Sequence, residues 1–159
     1  VVSLTRGITA PELRKYSTYK ISPNIGLELA LKTSFKIEIY ADLVYNMIIY
    51  NYSYFWNSAF ASITEFSIGS RFIAGSSEYS GFLQLGAGMY NYYVRPASYS
   101  YGSEKLLTGL NAGAGILISV FNDFDLTILS RIHIINADNK SPERYINTSG
   151  GLRYKFNIL

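Results

Sequence analysis

The residues best placed to do chemistry lie in one run, Arg131-Ile132-His133-Ile134-Ile135-Asn136-Ala137-Asp138, followed by Lys140, Pro142, Ile146 and Asn147. An imidazole two residues from a guanidinium, with an amide and a carboxylate close behind, suits acid–base work or a place in a buried charge network. His133 is the single histidine and the sequence has no cysteine, so no set with metal-ligand spacing exists. Gly86-Ala87-Gly88 and Gly113-Ala114-Gly115 suggest a phosphate loop. Such a loop opens a helix after a strand, whereas strand alternation continues through both glycine pairs here. Neither a metal nor a cofactor is expected.

What must position these residues is a set of strands. From Phe35 to Tyr50 the chain alternates: Phe35, Ile37, Ile39, Ala41, Leu43, Tyr45, Met47 and Ile49 fall on one face, with Lys36, Glu38, Tyr40, Asp42 and Asn46 on the other. Period two means strand, and a run this long exceeds the usual length in a soluble sheet. Similar alternation predicts strands within Val1 to Ile8, from Ile25 to Lys32, Phe60 to Ala74, Tyr79 to Val94, Leu110 to Val120, Phe124 to Ile134 and Ile146 to about Ile158. Connections at 9–21, 51–59, 95–106 and 137–145 read as long, and those near 33, 75 and 122 as short. Eight strands with long loops on one rim and short turns on the other predict an all-β fold, an eight-stranded antiparallel up-and-down transmembrane β-barrel. Residues 1–159 are read as one such domain, with both termini on the short-turn, periplasmic side of a bacterial outer membrane.

Composition points the same way. Charged residues make up only 16% of the chain, while fifteen tyrosines and nine phenylalanines dominate a 16% aromatic share. A soluble domain carries nearer 25% charge, so the surface is expected to face something other than water. The longest apolar candidate, near Ala112 to Phe121, is too short and glycine-rich for a spanning helix, which leaves the closed barrel as the way across lipid. The net charge of +3 is scattered, without the basic stripe that nucleic-acid binding requires. The chain opens Val1-Val2-Ser3 without an initiator Met, and a targeting segment removed ahead of it is expected.

If the apolar strips face lipid, the opposite strips enclose Glu28, Glu38, Asp42, Glu65 and Asp125 with Lys36, Arg71, Arg131 and Arg153. Ions held in a narrow, partly dry space must be paired, and eight strands leave an interior that side chains can fill. A plugged lumen cross-linked by ion pairs is therefore expected. The inward glycines Gly69, Gly86, Gly88, Gly113 and Gly115 would make room for long charged side chains. Tyr50, Tyr52, Tyr54, Phe55 and Trp56, with Tyr90, Tyr92 and Tyr93, read as an aromatic girdle at headgroup level.

Two resemblances bear on function. The run around His133 resembles the carboxy-terminal segment of the lipid A 3-O-deacylase (PagL) family of eight-stranded outer-membrane enzymes, which reads His-x-Ser-Asn-Ala before a Lys, a Pro and a Glu. His133, Asn136 and Ala137 match. Ile135 stands in the place of the nucleophilic Ser, Asn147 near that of the Glu, and Asp138 replaces a Gly. An ester hydrolase of this kind needs a hydroxyl activated by the imidazole, and an isoleucine cannot attack a carbonyl. The alternation of Phe124, Leu126, Ile128, Ile132 and Ile134 also puts His133 inside, where that family turns its His and Ser to lipid. More broadly, Ile25-Gly26-Leu27, Leu85-Gly86-Ala87-Gly88-Met89-Tyr90, Asn111-Ala112-Gly113-Ala114-Gly115 and Gly150-Gly151-Leu152-Arg153-Tyr154-Lys155-Phe156 resemble the small outer-membrane barrels of the OmpA-like, OmpX-like and Bacteroidetes porin families. The expected role is structural or loop-displaying, extending to a subunit of an envelope complex. The expected partners are outer-membrane lipid and lipopolysaccharide, the barrel assembly machinery during biogenesis, and an envelope protein. A lipid A deacylase relative, active or degenerate, is the alternative.

Overall fold

A strand turns every second side chain to the same side, so sustained alternation yields a wall with two chemically distinct faces. The computed structural model of the protein describes residues 2–11, 18–19, 22–33, 36–51, 58–95, 103–136 and 142–156. Among these residues it has nine strands: β1 (Val2–Pro11), β2 (Thr18–Tyr19), β3 (Ser22–Lys32), β4 (Ile37–Asn51), β5 (Ser58–Gly75), β6 (Tyr79–Arg95), β7 (Ser103–Phe121), β8 (Phe124–Asn136) and β9 (Glu143–Tyr154). The eight long strands pair antiparallel in sequence order, and β1 pairs with β9 to close the ring. The two-residue β2 only extends the end of β4. This is the expected eight-stranded up-and-down barrel.

The ring closes with a stagger. From Val2, partners traced through β9 reach Phe124 of β8, whereas partners traced the other way, through Leu29, Ala41, Ile68, Ala87 and Leu110, reach Ile134 of the same strand. An offset of ten residues around eight strands tilts them strongly to the barrel axis. β1 begins and β9 ends at the rim that carries the connections at 33–36, 76–78 and 122–123.

Strands reach further into the long connections than polarity suggested. β1 continues to Pro11, β3 starts at Ser22, β7 at Ser103 and β9 at Glu143, while β9 stops at Tyr154 rather than near Ile158. Backbone pairing continues past the apolar band, where side chains turn polar and read as loop.

The faces are sharply divided. In β8, Leu126, Ile128, Ile132 and Ile134 are exposed, and Asp125, Thr127, Arg131 and His133 are buried between them. Outward side chains are as apolar elsewhere, with Leu85 67% and Leu110 64% exposed. Inside, Phe82, Leu117 and Leu129 cluster toward the short-turn rim, and Ile63, Tyr90, Leu107, Ile135 and Tyr145 toward the long-loop rim. The inward glycines serve mostly aromatic rings, which corrects the expectation of room for long charged side chains. A Cβ at Gly69 or Gly86 would strike the Tyr40 hydroxyl and one at Gly115 the Phe82 ring, while only Gly113 yields to a charged residue, Arg131.

Candidate functional site

The interior charges are brought into register by strands far apart in sequence. Near the short-turn rim, Arg71 of β5 reaches across to β3, where Nη1 and Nη2 donate to the two Glu28 oxygens at 3.0 and 2.6 Å. The same guanidinium donates to Gln84 Oε1 at 2.9 and 3.2 Å and lies 4.4 Å over the Phe82 ring. Glu38 sits 3.5 Å from Arg71 and accepts from Arg153 at 2.5 Å. Two-pronged pairing with planar packing suits arginine far better than lysine. Further toward that rim, Lys155 donates to Asp125 at 2.7 Å.

Midway up, Arg131 of β8 pairs with Asp42 of β4, which also accepts from the Ser67 hydroxyl. Above them the chemistry changes. Glu65 accepts from the Tyr145 hydroxyl at 3.1 Å, with His133 Nδ1 at 3.4 Å and Arg131 at 3.8 Å. Tyr90 Oη lies 3.2 Å from His133 Nδ1, and the imidazole stacks flat on Tyr145 at 4.2 Å. His133, Glu65 and Tyr90 are fully buried.

Glu28, Glu38, Asp42, Glu65, Asp125, Arg71, Arg131 and Arg153 thus all lie inside. Lys36 does not: it is exposed at the bend before β4, because the strand begins one residue later, at Ile37, and alternation does not extend through the turn. Of the girdle residues, Tyr52, Tyr54, Phe55 and Trp56 fall outside the described residues, as does the side chain of Tyr50. Tyr90 is an interior residue, and Tyr92 packs against its cluster. Tyr145 was missed because it falls where polar neighbours suggested a loop, although it sits opposite His133 on β9.

The hydrolase constellation comes apart in space. His133 and Ile135 point inward and Asn136 outward, so the imidazole cannot act on anything lying on the outer wall. That wall does carry a groove of about 970 Å³ lined mainly by Phe66, Ile68, Met89, Leu110 and Ile134, with Thr108 and Asn136 toward the long-loop rim. What the interior set does, chemically, is hold opposing strands together. Among the described residues no group of three metal-binding side chains occurs.

No family model matches this sequence, and no curated protein does. Solved structures do. Neisserial surface protein A (NspA) matches with a TM-score of 0.75 at 13% identity, covering 98% of this chain and 96% of that one. The attachment invasion locus protein Ail of Yersinia pestis, in complex with a heparin analogue, gives 0.69 at 14% over 98% and 96%. The outer membrane enzyme PagL gives 0.54 at 14% over 98% and 99%. Ring closure, the outward apolar band and these likenesses give the chain the fold of the small eight-stranded outer-membrane β-barrels.

Proposed function

We propose that the protein is an integral barrel of the bacterial outer membrane, with its termini in the periplasm and a plugged, ion-paired interior, serving a structural or loop-displaying role, including as a subunit of an envelope complex. The observation that carries this reading is the inversion of the usual order: Arg71, Arg131 and Arg153 are at most 4% exposed while leucines and isoleucines cover the outside. In water such a surface would aggregate, and in hydrocarbon it is the stable arrangement. Bulky clusters of buried residues toward both rims, Tyr90 with Leu107 and Phe82 with Leu117, support a plugged interior. Reconstituted into planar bilayers, the barrel is expected to show no sustained conductance. Conductance typical of a wide aqueous pore would refute the plugged interior.

The deacylase alternative draws on the apolar outer groove beside Ile134 and Asn136. It faces the inward direction of His133 and the isoleucine at position 135. Incubation with lipopolysaccharide is expected to release no 3-hydroxy fatty acid; release that His133→Ala abolishes would establish the enzyme instead.

A further inference from the structure

Among the described residues, one charge interrupts the apolar outer wall near its centre. Arg6 lies on the outward face of β1 between Leu4 and Ile8, opposite Ile25 of β3, all of them exposed. Among the described residues its guanidinium has no ion pair. On the lipid face of a barrel a charge at mid-depth is expensive. Headgroup phosphates do not relieve it, because apolar residues continue along β1 in both directions and half of a ~25 Å band exceeds the reach of an arginine side chain.

On one side of β1, β9 and β8 are polar at the same height, while on the other β3 presents Ile25 and Leu27. The ten-residue stagger shifts level by slightly more than one residue per strand, so Arg6 stands level with the step between Thr148 and Gly150 on β9 and with Ser130 on β8. Ser130 and Thr148 are exposed, and their hydroxyls lie 3.1 Å apart. Ser130 has Leu126 and Ile128 below it and Ile132 and Ile134 above, so it too sits mid-band. Gly150 leaves a dip between them that the chain's own packing does not require: an added Cβ would meet only the Thr127 carbonyl oxygen, at 3.8 Å. At this depth the rest of the wall, from β3 round to β6, presents Leu27, Leu43, Ile68 and Leu85.

We propose that this patch, Arg6, Ser130, Thr148 and Gly150, is the interface on which a second copy of the chain docks in the membrane. The inference rests on the lipid-facing reading of the outer wall. The patch is complementary to itself. A two-fold axis along the membrane normal, just outside the outer face of β9, sets β1 of one copy against β8 of the other at unchanged height, so each Arg6 meets the partner copy's hydroxyl pair. The guanidinium donates and the hydroxyl oxygens accept, each group supplying what the other lacks in hydrocarbon. The two arginines fall on opposite sides of the axis, about 10 Å apart, two interstrand spacings. Gly150 at the axis lets the walls approach, as small residues do between membrane segments.

The sequence has no cysteine, so a single introduced thiol reports cleanly. Thr148→Cys and Ile68→Cys barrels would be reconstituted in liposomes, checked for co-flotation with lipid, and treated with a short bifunctional maleimide. Covalent dimer is expected from Thr148→Cys roughly tenfold faster than from Ile68→Cys, the gain in effective concentration a specific contact supplies. Adding Arg6→Leu or Gly150→Trp should remove that advantage, and Ser130→Ala, too mild to disturb folding, should reduce it. Equal rates at the two positions in barrels that float with lipid would overturn the dimer alone; barrels that fail to float would overturn the membrane reading and the dimer together. Monomers that anionic lipid stabilises through Arg6, with the effect lost in Arg6→Leu, would replace the second copy with a lipid.

Discussion

The two halves of the barrel interior solve the same problem differently. Toward the short-turn rim, Arg71 and Arg153 are matched against Glu28 and Glu38 in a network where a guanidinium also packs on the Phe82 ring. Toward the long-loop rim, Glu65 faces Tyr145, His133 and a more distant Arg131, and rings replace ions as the filling. Three arginines are shared among Glu28, Glu38, Asp42 and Glu65, and the carboxylate left without a close guanidinium is the one given a phenol. Strong pairing cross-links β3, β4, β5 and β9, whereas the aromatic end is held by ring packing and a few hydrogen bonds. A polar group in either half is tolerable only while its partner is present.

The ionic half depends most on Arg71. Arg71→Met leaves Glu28 without its two charge-assisted bonds and removes one neighbour of Glu38, both carboxylates buried. Removing one partner of a buried pair costs about 3–5 kcal/mol. Urea unfolding of the barrel in lipid vesicles should register a loss of that size. In the other half, Tyr145→Phe keeps the ring stacked on His133 and deletes only the hydroxyl that donates to Glu65. The expected loss is about 1–3 kcal/mol by the same measurement, the cost of a buried acceptor left unmet. A Tyr145→Phe loss equal to that of Arg71→Met would show that the aromatic half carries as much of the fold as the ionic half.

How much of this was legible follows from which forces are local. Alternation is local, so the inward turn of Asp125, Arg131 and His133 can be read from Leu126, Ile128, Ile132 and Ile134 on the same strand. Pairing is not local. Arg71 and Glu28 are 43 residues apart and Arg153 and Glu38 are 115, and only the stagger of the closed ring decides which inward residues meet. Tyr145 was hidden for a different reason: past the apolar band a strand loses its contrast, and Ser141-Pro142-Glu143-Arg144 looks like a loop although β9 has begun at Glu143. Lys36 shows the converse error, a periodic pattern carried through a turn. Arg6 was legible only as a charge in a short segment. Its outward position became visible once Leu4 was placed against Leu27 and Leu152, and Arg6 itself against Ile25.

Lys155 and Asp125 repeat the chemistry of the Arg71 network in wetter surroundings. They form an ion pair at 2.7 Å, close to the 2.6 Å between Arg71 and Glu28, yet the lysine side chain is 35% exposed at the rim. Water already solvates part of that charge, so Lys155→Met should cost under about 1 kcal/mol, and raising salt should shrink even that difference. The unfolding measurement used for Arg71→Met, repeated at low and high ionic strength, separates the two sites: a salt-sensitive, small loss at Lys155 and a large, salt-insensitive one at Arg71. If both pairs responded alike, burial would not be what distinguishes them, and the Arg71 network would owe its strength to geometry alone.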